Sequence, residues 1–101
     1  MLLYSVADKI VFSILKRINI GFLEITTISG QALKFGNPND KLKASLKIKN
    51  SALNYNLIKG GSIGLAESYM RDEFETKNLS DLIELTARNI NIVHKFAGIL
   101  D

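Results

Sequence analysis

The chain has 101 residues, 47% of them hydrophobic and 23% charged, with a single histidine and no cysteine. This is the size and make-up of one globular domain. It excludes a disulfide scaffold, thiolate chemistry and Cys- or His-rich metal sites, and it fits a reducing cytoplasm. The net charge of +3 hides an asymmetry: residues 1–59 carry nine Lys/Arg against three Asp/Glu, and residues 60–101 carry four against seven. The basic half is either a solvated face or a surface for an anionic partner.

No apolar run reaches the roughly 18–20 residues that span a bilayer. The apolar start also lacks the basic leader and small-residue cleavage site of a signal peptide. Residues 3–18 place Leu3, Val6, Ala7, Ile10, Val11, Ile14, Leu15 and Ile18 on one helical arc. Lys9 and Lys16 lie opposite with Ser5 and Ser13, and Phe12 points the same way. A basic amphipathic helix with an exposed aromatic suits a membrane surface; it equally suits a helix packed on a sheet. Gly21 ends it.

FLEITTIS (22–29) and QALKFG (31–36) read as strands joined by a turn at Ser29-Gly30. NPND (37–40) is a second turn. In LKASLKIK (42–49), Leu42, Ala44, Leu46 and Ile48 face one way, and Lys43, Ser45, Lys47 and Lys49 the other. Three strands in succession predict an antiparallel meander with one wet, basic face, its lysines guarding an edge.

Residues 51–58 predict a short helix or an irregular crossing, broken at Gly60-Gly61. Ser62 is the candidate cap of a helix from 63 to about 71. Asn78 is the candidate cap of the last helix, with Asp81 in its first turn. This helix runs from Leu79 to about Ala97 and closes at Gly98. Its main apolar stripe is Leu79, Leu82, Ile83, Ile90, Val93 and Ala97, expected against the sheet. A second stripe of Leu85, Ile92 and Phe96 is left for a partner, another domain or simple burial. The fold class expected is therefore α+β: an N-terminal helix, a small antiparallel sheet of about three strands or more, then two or more helices. The chain ends just past a long helix, as a module cut from something larger would.

Little in the chain points to chemistry. GGSIG (60–64) lacks the G-x-G-x-x-G of a dinucleotide loop and the terminal Gly-Lys-Ser/Thr of a P-loop. Gly60 and Gly61 then make a turn, and Gly64 permits close backbone approach. Glu67, Asp72, Glu73 and Glu75 form an acidic cluster with no sign of a catalytic pocket. Of these, Glu67 is flanked by apolar residues and is expected to be buried beside Tyr69 with a basic partner. His94 reads as a boundary residue of the last helix. The basic strand face has no interleaved aromatics for stacking bases, so nucleic acid is not expected.

The stretch GGSIGLAESYMRDEFETKNLSDLIELTARN resembles the N-terminal region of cyclopropane-fatty-acyl-phospholipid synthases, with Gly61, Gly64, Leu65, Glu67, Tyr69, Met70, Phe74, Leu79 and Leu82 in matching places. The upstream GFLEITTISGQALKFG looks like that family's early hairpin, so the likeness covers nearly the whole chain. Two departures stand out. Arg71-Asp72 replaces a turn that usually holds glycine, although Asp tolerates a left-handed conformation, and Phe74 stands where Trp is common. The resemblance implies the domain that engages phospholipid and assembles dimers. The family's S-adenosylmethionine site, its bicarbonate-holding residues and its methyl transfer belong to a following Rossmann-type domain, and none of those motifs occurs here. No catalytic residue, cofactor or metal site is therefore carried over. The implied partners are a phospholipid membrane surface, a SAM-dependent catalytic domain in cis or in trans, as in a truncated or split synthase, and a second copy in a homodimer. Lys9, Phe12 and Lys16 are the candidate lipid contacts. Leu85, Ile92 and Phe96 are the candidate interdomain or dimer contacts. The location implied is cytoplasmic, peripheral at the inner membrane face. A free-standing sterol-carrier-type lipid module, which has a similar strand-then-helix arrangement, and a structural oligomerisation domain are the alternatives.

Overall fold

The computed structural model describes residues 2–92, with side chains from residue 5 onward. The expectations at Leu3, Val93, His94, Phe96, Ala97 and Gly98 fall outside those side chains. The α+β class is as predicted, as is the order of a helix, three strands and then helices: α1 (Leu2–Leu15), β1 (Phe22–Thr26), β2 (Ala32–Gly36), β3 (Lys43–Ile48), α2 (Leu53–Met70), β4 (Phe74–Glu75) and α3 (Leu79–Arg88). Strand β4 is unforeseen, and α3 closes at Arg88, short of the expected end near Ala97.

The sheet is mixed and does not form a meander. Its order is β2-β1-β3-β4, with β1 antiparallel to β2, parallel to β3, and β3 antiparallel to β4. The connection 37–42 explains the difference. Asp40 Oδ2 accepts the Gly21 N–H at 2.9 Å, and its Oδ1 accepts the Leu42 N–H at 3.0 Å. The Phe22 N–H donates to the Leu42 carbonyl and the Asn37 N–H to the Gly21 carbonyl. The loop is thus pinned across the start of β1 and delivers β3 to the far side of that strand. The backbone donors at Leu42 and Gly21 hold the Asp40 carboxyl below its ordinary pKa. Gly36, at φ 89°, lies against the Gly21 carbonyl, where a Cβ would collide.

One face of the sheet is the core. Leu23, Ile25, Phe35, Ala44, Leu46 and Ile48 meet Ala7, Val11, Ile14, Leu15 and Ile18, whose 3–4-residue spacing is the apolar arc of the first helix. Leu53 and Ile58 of α2, Phe74 of β4, and Leu82 and Leu85 of α3 complete it. Lys43 and Lys47 sit on the open face; β4 pairs only with Lys47 and Ile48, so Lys43 still stands beside a stretch of β3 with no described strand on that side.

Helix α2 bends at Gly61, whose φ 56° and ψ −131° are non-helical. The break comes where the glycine pair predicted it. Beyond the bend, Gly64 rests on the Asn56 carbonyl, leaving no room for a side chain. Asp72 takes φ 60°, the left-handed turn that its type tolerates. Asn78 caps α3 as expected, its side chain accepting the Asp81 N–H at 3.1 Å.

Candidate functional site

Three surfaces bear on function: the outer side of α1, the open face of the sheet, and a groove between α2 and α3. On α1, Lys9 and Lys16 are exposed together with Ser5 and Ser13. Phe12 is not presented with them. It is partly buried and stacks on Phe35, with ring centroids 6.1 Å apart and planes at 22°. The apolar arc of α1 is broad enough, once the helix lies over β2, to draw this ring inward.

The Gly-x-x-Glu-x-Tyr stretch is arranged differently from expectation. Past the bend, the buried positions of α2 are Gly61, Gly64 and Ser68. Glu67 and Tyr69 flank that line and are both exposed, so the buried Glu–Tyr pair does not form. Tyr69 instead leans on Phe74, a fully buried core residue, with centroids 5.6 Å apart.

The buried acid is Glu73, only 7% exposed. The Arg71 Nε donates to its Oε2 at 3.1 Å, and the Asn56 Nδ2 to its Oε1 at 3.0 Å. Burial raises the pKa of this carboxyl. The neighbouring Ser68 hydroxyl, Arg71 and Asn56 outweigh burial and hold it below the ordinary value. The Ser68 hydroxyl is itself fully buried. It is near enough to act on the carboxylate but lies outside the geometry of a full hydrogen bond. The Glu73 carbonyl also accepts the N–H groups of Lys49 and Asn50. Side chain and backbone together therefore tie the end of α2 to the end of β3. Nearby, Lys49 pairs with Asp72 at 2.7 Å and Glu75 at 3.5 Å, and the Asp72 bond raises its pKa. Periodicity gave no sign of Glu73, since its burial depends on Asn56, 17 residues away.

The two stripes of the last helix divide differently from expectation: Leu82 of the main stripe stays in the core, and Ile83 of the same stripe does not. Leu85 is buried and Ile92 packs on the core, so the residues expected to await a partner face their own domain. The face turned outward carries Ile83, 55% exposed. With Leu65, Tyr69, Met70, Leu79 and Ile90 it lines an open apolar groove of about 450 Å³. Met70, 77% exposed, and Ile63 extend the apolar surface. A second space among the core side chains, partly open to the surface, measures only about 60 Å³.

Asn89 holds α3 to the start of β1. Its Nδ2 donates to the Ile20 and Leu85 carbonyls at 2.8 Å, and its Oδ1 accepts the Asn19 and Ile20 N–H groups at 3.4 Å. Among the described residues there is no group of three or more His, Cys, Asp or Glu side chains that could hold a metal ion. No described helix is long and apolar enough to cross a membrane. Comparison with protein-family models, with curated proteins and with solved structures finds no match to this chain.

Proposed function

We propose that this chain is a non-catalytic lipid-engaging and assembly domain, of the kind its sequence resembles at the N-terminal end of cyclopropane-fatty-acyl-phospholipid synthases. It works beside a SAM-dependent methyltransferase domain supplied in cis or in trans. The observation that carries this reading is the open groove between α2 and α3. Its size falls within the several hundred Å³ of small-ligand sites. Its lining is apolar apart from Ser62 and Thr86. An apolar surface of this kind suits either an acyl chain or the apolar face of a companion domain. The exposed lysines of α1 supply attraction to anionic headgroups, on the order of 1 kcal/mol for each residue near the surface.

The sterol-carrier alternative requires an interior that swallows its ligand. The space of about 60 Å³ among the core side chains is far too small for an acyl chain. A purely structural oligomerisation domain draws on the same groove and differs only in ignoring lipid.

Flotation on phosphatidylglycerol-containing vesicles at low salt is the test. The protein floats, high salt weakens the binding without abolishing it, and Lys9→Glu with Lys16→Glu weakens it likewise. Ile83→Asp weakens binding that salt does not abolish. A protein that stays at the bottom of the gradient at low salt sinks the lipid reading. If it also dimerises through the groove, the oligomerisation domain takes its place.

A further inference from the structure

Among the described residues, strand β2 is one edge of the sheet, paired with β1 alone. The pairing parity shows which of its backbone groups are free. The Thr27 N–H donates to the Gln31 carbonyl at one end of the β1–β2 ladder, and the Asn37 N–H to the Gly21 carbonyl at the other. The register between them is Glu24 opposite Lys34 and Thr26 opposite Ala32. Hydrogen-bonded and non-bonded pairs alternate in an antiparallel ladder. The bonded pairs are therefore 21/37, 23/35, 25/33 and 27/31, and Ala32 and Lys34 turn their N–H and C=O groups away from β1. Among the described residues no strand takes up these groups.

This edge is short and carries one guard, the central Lys34. It has no proline, and its side chains on the open face are Ala32, Lys34 and Gly36, so that only one is large. Lys34 makes no ion pair among the described residues, although Glu24 faces it across the ladder. On the core side, Leu33 and Phe12 are only partly buried and end the apolar layer at this edge.

We propose that the β2 edge receives an extended segment of a partner protein as a fifth strand, and that the segment carries a carboxylate between two apolar residues. The backbone groups of Ala32 and Lys34 supply the ladder. The partner residue opposite Lys34 lies on the open face, about 5.5 Å away Cα to Cα as in any hydrogen-bonded pair, where an acid meets an unpaired ammonium. Its two neighbours point to the other face and extend the layer of Leu33 and Phe12. A second copy of this chain fits less well, because symmetric pairing centred on Lys34 sets ammonium against ammonium.

The probe is a synthetic peptide with a Val-Glu-Val core, compared with Val-Lys-Val and with a Val-Glu-Val peptide N-methylated on its ladder-facing amides. Amide chemical shifts of the full chain are followed by NMR. The Val-Glu-Val peptide shifts the amides of Ala32 and Lys34 and binds about three- to tenfold more tightly than Val-Lys-Val. Lys34→Glu, a surface change, reverses that preference. The N-methylated peptide does not bind. Three results would overturn the proposal: no shifts at β2, equal binding of the acidic and basic peptides, or binding that survives N-methylation. Concentration-dependent dimerisation with protection of the Ala32 and Lys34 amides would assign the edge to a second copy instead.

Discussion

Replacing Glu73 by Gln keeps the shape of the side chain and removes its charge. In the parent, the carboxylate takes one bond from Arg71 at 3.1 Å and one from Asn56 at 3.0 Å in a site 7% exposed. Hydrogen bonds to a charged group contribute roughly 1.5–3 kcal/mol. Arg71 is about half exposed and regains water when released, and the amide oxygen of Gln can still accept from Asn56. The expected loss is therefore near the lower figure, about 1.5 kcal/mol, or roughly 8 °C in Tm for a domain of this size. Because the folded carboxyl is held below its ordinary 4.5, its stabilising effect is complete above that value and disappears as pH falls through the folded pKa. Urea titrations of parent and Glu73→Gln, taken from about pH 7 down to about pH 3, should show a gap that narrows at the acid end. A gap of the same size at every pH would mean that shape, not charge, is responsible. No gap at neutral pH would refute the assignment of Glu73 as a structural acid.

Other substitutions follow from the same contacts. Asn89→Ala removes the buried side chain that bonds the Ile20 and Leu85 carbonyls and should cost about 2 kcal/mol, read as a lower urea midpoint with an unchanged slope. Gly64→Ala drives a methyl group into the Asn56 carbonyl and should cost about 2 kcal/mol or more. Gly60→Ala, with open space and a helical backbone, should be neutral or gain up to about 1 kcal/mol. Glu67→Ala should change stability by less than about 0.5 kcal/mol in thermal melts, because the side chain is exposed and makes no ion pair among the described residues.

The resemblance that rests on GGSIGLAESYM is largely carried by backbone. Gly61 supplies the bend and Gly64 the close approach, and both act through the absence of a side chain. Glu67 and Tyr69 are both exposed, and Tyr69 lines the groove. Their positions therefore suit contact with a partner better than a role in holding the domain together.

The sequence by itself determined the α+β class, the arc of α1, the alternation of β3, the bend at the glycine pair and the Asn78 cap. Each of these is local: it depends on side chains a few residues apart, in a conformation that their own types favour. Tertiary structure decided what depends on distant partners. Asp40 reaching back to Gly21 turned an expected meander into a mixed sheet with β1 and β3 parallel. Asn56 and Arg71 made Glu73, and not Glu67, the buried acid. Helix α3 is apolar on two sides, and its own periodicity cannot rank them. The packing of α3 against β3 and the Asn89 clamp turned Leu85 inward and left Ile83 in the groove. A helix with two apolar stripes has two nearly equivalent orientations until a neighbouring surface chooses between them.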